Sequence, residues 1–196
     1  MTLKYHGRYR VPTARASWHD YNGGLYFITI CTANKVSYFG RIADGIMQLN
    51  PLGQYLQHII EEAPVHHLYA SIPMYVIMPN HVHLIIYIRA CDETECVDEN
   101  TTGHHRDAAC HVSTDTDRVV DERMRHIAEN RGLLSVTVGS IKSALKHYAT
   151  KSDIEFAWQS RFHDHIIRSE KECNYIADYI EQNPMKWNAD TLYNVE

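Results

Sequence analysis

The segment 75–86, which reads YVIMPNHVHLII, constrains the fold of this chain more than any other stretch. It joins two apolar runs, MYVIM and HVHLIIYI, through the dipeptide Pro79-Asn80. Proline has a fixed φ and no backbone N–H, so it belongs at a turn or bulge rather than in the middle of a strand. We therefore predict a hairpin or a sharply bent strand over residues 69–88.

Other segments supply further strands. Residues 25–33, LYFITICTA, are aromatic and β-branched and lie between Gly23-Gly24 and Asn34-Lys35, which predicts a buried strand. Short strands are expected at 37–41 and 45–48, and another within 158–168.

Three helices are predicted between and after these strands. Asn50 and Pro51 form a helix start, apolar residues at helical spacing mark a second helix over 133–151, and Ser169 caps a last helix that ends at Pro184. This order favours an α+β fold, an antiparallel β-sheet with helices packed on one face.

The length of 196 residues suits one domain spanning 1–196. The formal net charge is −5, but residues 91–122 contain ten acids and two bases, a local net charge of −8, so the rest of the chain carries +3. Because low hydrophobicity and like charge oppose folding, we expect a flexible acidic insertion at about 91–131. It contains Cys91, Cys96 and Cys110 with nearby histidines, but it lacks the CxxC pair that is typical of a structural zinc site.

No apolar run approaches the roughly 20 residues that span a bilayer, and residues 1–15 lack the apolar middle of a secretory signal. We expect no membrane association and a cytoplasmic location. The five cysteines are odd in number and scattered, which predicts free thiols. The bases in 1–15 either grip a nucleic-acid backbone or serve solubility alone.

A pair of histidines, His81 and His83, is the first candidate for chemistry. In a strand, residues two apart share one face, so both imidazoles point the same way. Two adjacent imidazoles can hold one cation, although each ring can equally be a hydrogen-bonded structural group in a chain with 14 histidines. A second pair, His163 and His165, has Asp164 between its members, and we interpret it as structural or supporting.

The last helix places Tyr179 and Asn183 one turn apart beside its apolar stripe. Both side chains are therefore expected at the margin of the sheet. Taken separately, Tyr179 can be an aromatic at the edge of the core, and Asn183 an ordinary residue at the end of a helix before Pro184.

Together these motifs resemble the single-tyrosine HUH (histidine-hydrophobic-histidine) transposases. The strings YVIMPNHVHLII, WQSRFHDHIIR and YIADYIEQNP, with the strand LYFITICTANK, are similar to the REP-associated tyrosine transposases and their insertion-sequence-two-hundred-like relatives. The match covers nearly the whole chain apart from the acidic insertion. It implies a ferredoxin- or RRM-like HUH fold.

The resemblance also implies roles for individual residues. His81 and His83 would bind a divalent cation, Mg²⁺ or Mn²⁺, with Asn183 as the third ligand and Gln182 as a lesser candidate. Tyr179 would be the nucleophile that cuts and rejoins single-stranded DNA at hairpin ends through a 5′-phosphotyrosine. Tyrosine is a poor nucleophile at neutral pH because its pKa is near 10, so a metal-organised site suits it.

Two other tyrosines compete for that role. Tyr148 is followed four residues later by Ser152, a poor match to an amide ligand, and Tyr175 is followed by Tyr179 itself. DNA is expected to meet an aromatic and basic surface, in which the aromatic residues can alternatively pack in the core. The predicted DNA-binding residues are Lys142, Lys146, Arg161 and Arg168, with Trp158, Phe162 and Tyr148 as candidate stacking platforms.

Two alternatives to a transposase stay open at this point. One is a catalytically silent or domesticated protein that binds hairpin DNA, and the other is a replication or conjugative-transfer initiator using the same chemistry. The family contains dimers and monomers, so both a homodimer and a monomer are consistent with the sequence.

Overall fold

The computed structural model describes residue 21 and residues 23–89, 132–190 and 192–193, with the backbone of two short N-terminal strands. The predicted acidic insertion with its cysteines, and the side chains of the basic N-terminal segment, lie outside the described residues. The elements, in chain order, are β1 (Lys4–Tyr5), β2 (Arg8–Tyr9), β3 (Gly24–Cys31), β4 (Gly40–Ala43), β5 (Ile46–Leu49), α1 (Pro51–His66), β6 (Ala70–Ile77), β7 (His81–Ile88), α2 (Leu133–Lys151), β8 (His163–Ile167) and α3 (Glu170–Gln182).

A four-stranded antiparallel sheet with the order β6-β7-β3-β8 forms the centre of the fold. The predicted hairpin is confirmed as β6 and β7, joined by a turn that contains Pro79. In the central pair, Thr29 of β3 lies opposite His83 and Cys31 lies opposite His81. Strands β4 and β5 form a separate hairpin.

The predicted helix starts are confirmed by their hydrogen bonds. The Asn50 side chain accepts a hydrogen bond from the Gly53 N–H (2.9 Å), and Ser169 Oγ accepts one from the Glu172 N–H (3.2 Å). Each bond satisfies a backbone donor that the first turn of a helix leaves without a partner.

The α+β class is confirmed, but the expectation that all helices pack on one face is wrong. Helices α1 and α2 cover the sheet face that includes Val82 and Leu84, whereas Ile176 and Ile180 of α3 pack against Ile85 on the opposite face. The physical reason is visible in β7, whose residues are buried on both faces except Tyr87. A strand with two buried faces needs a layer on each side.

Two further features of the described residues are their cysteines and the polarity of their helices. Cys31 and Cys173, the cysteines in the described ranges, are both free thiols. Within those same ranges, no helix is long and apolar enough to cross a bilayer.

Two helical glycines test the packing of the α1 and α2 layer. A Cβ at Gly53 would lie 2.3 Å from the carbonyl oxygen of Phe39, whereas a Cβ at Gly139 in α2 would meet no atom within 4 Å.

Alanine normally stabilises a helix relative to glycine. We therefore expect Gly139→Ala to raise the free energy of unfolding by about 0.5–1 kcal/mol. Gly53→Ala should lower it by about 1–3 kcal/mol, because the Phe39 backbone must move. Urea unfolding measures both, and a stabilised Gly53→Ala protein would contradict this packing.

Candidate functional site

Two buried imidazoles face each other at the start of β7. His81 and His83 project from the face of β7 that α3 covers, and their Nε2 atoms lie 3.1 Å apart. Their rings meet edge to face, with centroids 4.6 Å apart. Because the two histidines share one face of the strand, as predicted, their Nε2 atoms lie close enough to bind one metal ion.

The Asn80 side chain fixes the orientation of His81. Its Nδ2 donates to the backbone carbonyls of Lys35 (3.1 Å) and Leu192 (2.8 Å), so its Oδ1 is the atom that faces His81 Nδ1 at 2.8 Å. An amide oxygen only accepts hydrogen bonds, so His81 Nδ1 carries the proton. The lone pair of His81 Nε2 is consequently directed toward His83.

The partner of His83 is a hydroxyl group. Thr29 Oγ1, on the neighbouring strand β3, lies 2.9 Å from His83 Nδ1 and can accept a hydrogen bond from it. Phe27 stacks on the same imidazole, with ring centroids 5.2 Å apart. A hydrogen bond at Nδ1 that leaves Nε2 available is the arrangement found in histidine metal ligands.

Burial keeps both imidazoles neutral. It lowers the pKa of each ring to about 3, and the positive charge of Lys35 adds to the effect at His81. At His83, the neighbouring His81 also lowers the pKa, while the charge of Asp190 partly opposes the shift. The neutral form is the one that binds metal ions.

Helix α3 brings two more side chains to this point. The Tyr179 hydroxyl lies 3.3 Å from His83 Nε2, and its side chain remains 41% exposed. Asn183 follows one turn later and is buried, and its Oδ1 has no hydrogen-bond partner. A buried acceptor without a donor costs about 1–3 kcal/mol, which suggests that a ligand satisfies it.

The Tyr179 phenol is shifted toward its protonated form. Burial raises its pKa, and the negative charge of Asp190 raises it further, while a hydrogen bond from the Asn183 side chain opposes these effects. A nearby positive charge would shift the pKa in the opposite direction.

An acidic residue, Asp190, completes the group. One ligand atom from each of His81, His83 and Asp190 lies within 4.8 Å of the others, so these three residues could hold a metal ion. The Asn183 side chain, whose oxygen has no hydrogen-bond partner, lies next to this group because it makes a hydrogen bond to Tyr179. Two imidazole nitrogens with amide and carboxylate oxygens fit a divalent cation.

The structure places His83 beside both His81 and the Tyr179 hydroxyl, and the Asn183 side chain makes a hydrogen bond to Tyr179. The metal and nucleophile roles of these four residues stay predictions. The competing candidates for the third ligand and for the nucleophile are located differently. Gln182 Oε1 accepts a hydrogen bond from Lys186, Tyr148 stacks on Tyr55 with centroids 3.7 Å apart, and Tyr175 is 74% exposed.

The candidate DNA-binding residues fall into two groups. The ammonium groups of Lys142 and Lys146 donate to backbone carbonyls of residues 156–160, so they hold that segment to α2. Arg161 and Arg168 are exposed. Contact of all four with DNA stays a prediction.

Trp158, Phe162 and one member of the second histidine pair, His165, have partners within the protein. Trp158 and Phe162 pack against the main core, and Trp158 Nε1 donates to the Lys142 carbonyl. His165 Nε2 lies 2.8 Å from Glu172 Oε1, which links β8 to the start of α3.

Sequence reasoning missed Asn80 and Asp190. Asn80 lies in a hairpin turn, where asparagine is common for conformational reasons, so its hydrogen bonds could not be inferred from its position. Asp190 directly follows the 3-10 turn at Pro184–Ala189, and its Oδ2 lies 3.9 Å from His81 Nε2. No periodic pattern marks such a residue.

Comparison with known protein sequences identifies a relative of the chain. It is 35% identical over 200 residues to a Haemophilus influenzae protein described only as uncharacterized, and the match covers 98% of this chain and 99% of that protein. The chain belongs to the family of that protein. No family model matches it.

A solved structure identifies the fold. A REP-associated tyrosine transposase bound to a REP hairpin has a TM-score of 0.52 to this chain and 19% identity, over 89% of this chain and 74% of that one. A proposed transposase from Deinococcus radiodurans has 14% identity over 86% of this chain and 96% of that one, but its TM-score of 0.36 is too low to add to the comparison. The resemblance to REP-associated transposases is therefore confirmed for the fold.

Removing the Asn80 side chain should destabilise the protein more than removing a helix cap. Asn80→Ala eliminates three hydrogen bonds in a buried site and leaves His81 Nδ1 without its acceptor, so we expect a loss of about 2–4 kcal/mol. Asn50→Ala is the control, because Asn50 is exposed and water can replace its bonds, and it should cost about 1 kcal/mol. Urea unfolding compares the two. Equal losses would show that Asn80 has no special role in holding the site.

Proposed function

We propose that this chain is a metal-dependent HUH tyrosine transposase that cuts and rejoins single-stranded DNA at hairpin ends. The observation that carries the proposal is the position of the Tyr179 hydroxyl, 3.3 Å from His83 Nε2. An exposed tyrosine hydroxyl beside two adjacent imidazoles that can hold a metal ion is suited to phosphodiester transfer to tyrosine.

In this proposal His81, His83 and Asn183 hold Mg²⁺ or Mn²⁺. Two imidazoles and one amide carry no charge and leave coordination positions for oxygens of the scissile phosphate. When bound, the cation polarises the phosphate and offsets the negative charge that accumulates in the transition state.

Tyr179 acts as the nucleophile. Its oxygen forms a bond to phosphorus while the bond from phosphorus to the 3′ oxygen breaks, which leaves a 5′-phosphotyrosine and a 3′-hydroxyl. The phenol loses one proton and the leaving oxygen gains one, so the step is balanced. Because one phosphodiester is exchanged for another, the rejoining step needs no ATP.

The proposed substrate is a hairpin with a single-stranded flank. Its support is the REP-associated transposase with the same fold, which was solved bound to a REP hairpin. The 41% exposure of Tyr179 is consistent with a DNA strand reaching its hydroxyl from solvent. Arg161 and Arg168 are exposed residues and add positive charge for contact with the DNA backbone.

A covalent adduct with DNA tests this function directly. Wild-type protein incubated with Mn²⁺ and end-labelled hairpin oligonucleotides should give a protein–DNA band on a denaturing gel. We expect Tyr179→Phe and EDTA to abolish the band. Tyr175→Phe is the matched control, because Tyr175 lies one turn earlier on α3 and is exposed, and it should leave the band unchanged.

Other results would assign different roles. An adduct that persists in Tyr179→Phe would transfer the nucleophile to another tyrosine. Hairpin binding without any adduct, with either metal, would contradict the enzyme and indicate a hairpin-binding protein.

A further inference from the structure

The chain turns back toward the histidines after α3 ends. The 3-10 turn at Pro184–Ala189 buries Trp187, whose ring lies against His81 with centroids 5.9 Å apart. Tyr193 packs edge-on against Trp187, with ring centroids 5.2 Å apart. These contacts anchor the segment that carries Asp190.

Hydrogen bonds then fix Asp190 itself. Its N–H donates to the Trp187 carbonyl (3.0 Å), and its Oδ1 accepts from the Leu192 N–H (2.7 Å). The Leu192 carbonyl accepts from Asn80 Nδ2, the same side chain that orients His81. The position of the Asp190 carboxylate is therefore tied to the position of the imidazole.

The second carboxylate oxygen is directed into the site. Asp190 Oδ2 lies 3.9 Å from His81 Nε2, and the side chain is 6% exposed. This distance is too long for a hydrogen bond. His81 Nε2 also cannot donate a hydrogen bond to the carboxylate, because the proton of the neutral imidazole is on Nδ1. The Asp190 carboxylate oxygen and the imidazole lone pair of His81 thus face each other, and a cation between them would turn repulsion into attraction.

We propose that Asp190 is a further, anionic ligand of the metal that His81, His83 and Asn183 bind. This inference rests on the proposed function. The carboxylate changes the ligand set from three neutral groups to a set with one negative charge. Asp190 therefore strengthens binding of a divalent cation, and metal binding in turn holds residues 184–190 against the sheet.

Calorimetric titration of the full-length, metal-free protein with Mn²⁺ tests the assignment. Asp190→Asn keeps the size of the side chain and an oxygen for the Leu192 N–H, but removes the charge. We expect it to bind Mn²⁺ at least about tenfold more weakly than wild type. Asp190→Ser, which also retains an acceptor for the turn, should show a similar loss. Asp153→Asn neutralises an exposed carboxylate outside the His81–His83–Asp190 group and should leave the affinity unchanged.

The outcomes separate this inference from the proposed function. If wild type and both Asp190 variants bind Mn²⁺ equally while His83→Ala does not, Asp190 is not a ligand and the metal site of the proposed function stands. If wild type itself shows no saturable Mn²⁺ binding, both the metal-dependent function and the role of Asp190 are overturned. A tenfold or larger loss in both Asp190 variants, with Asp153→Asn unchanged, supports the assignment.

Discussion

The burial of β7 on both faces is the constraint on which the site depends. One face supplies Val82 and Leu84 to the core beneath α1 and α2, and the other presents His81 and His83 beneath α3. Because water is excluded there, each imidazole must find its hydrogen-bond partners within the protein. Asn80 and Thr29 satisfy the two Nδ1 atoms, and the two Nε2 atoms are left facing each other. The layered packing that stabilises the sheet thus also produces a pair of neutral nitrogen donors.

Asn80 connects this pair to the rest of the site. Its amide group joins His81 to the backbone of Lys35 and to the segment that follows α3, so three distant parts of the chain are held by one side chain. Helix α3 adds Tyr179 and Asn183 from the opposite layer. The Asn183 oxygen is buried without a partner, which is unfavourable for stability and is consistent with a site kept for binding rather than for folding.

Much of this arrangement could be predicted from sequence because it is local. The hairpin follows from Pro79, the caps from Asn50 and Ser169, and the shared face of His81 and His83 from the two-residue period of a strand. The position of α3 on the opposite face could not be derived from its own apolar stripe, since a stripe shows that a helix is covered but not by which face of the sheet. The position of Asp190 depends on how the loop that carries it packs against the core. The same is true of the hydrogen bonds from Lys142 and Lys146 to backbone carbonyls, and no periodic pattern in the sequence encodes such contacts.

In the proposed function, His81, His83 and Asn183 bind one divalent cation. Crystals of the full-length protein soaked in Mn²⁺ and measured for anomalous scattering test it most directly. We predict an anomalous peak within bonding distance of the Nε2 atoms of both histidines and close to Asn183 Oδ1. A map in which His81 and His83 are well ordered, with no peak between them at a saturating Mn²⁺ concentration, would contradict the account.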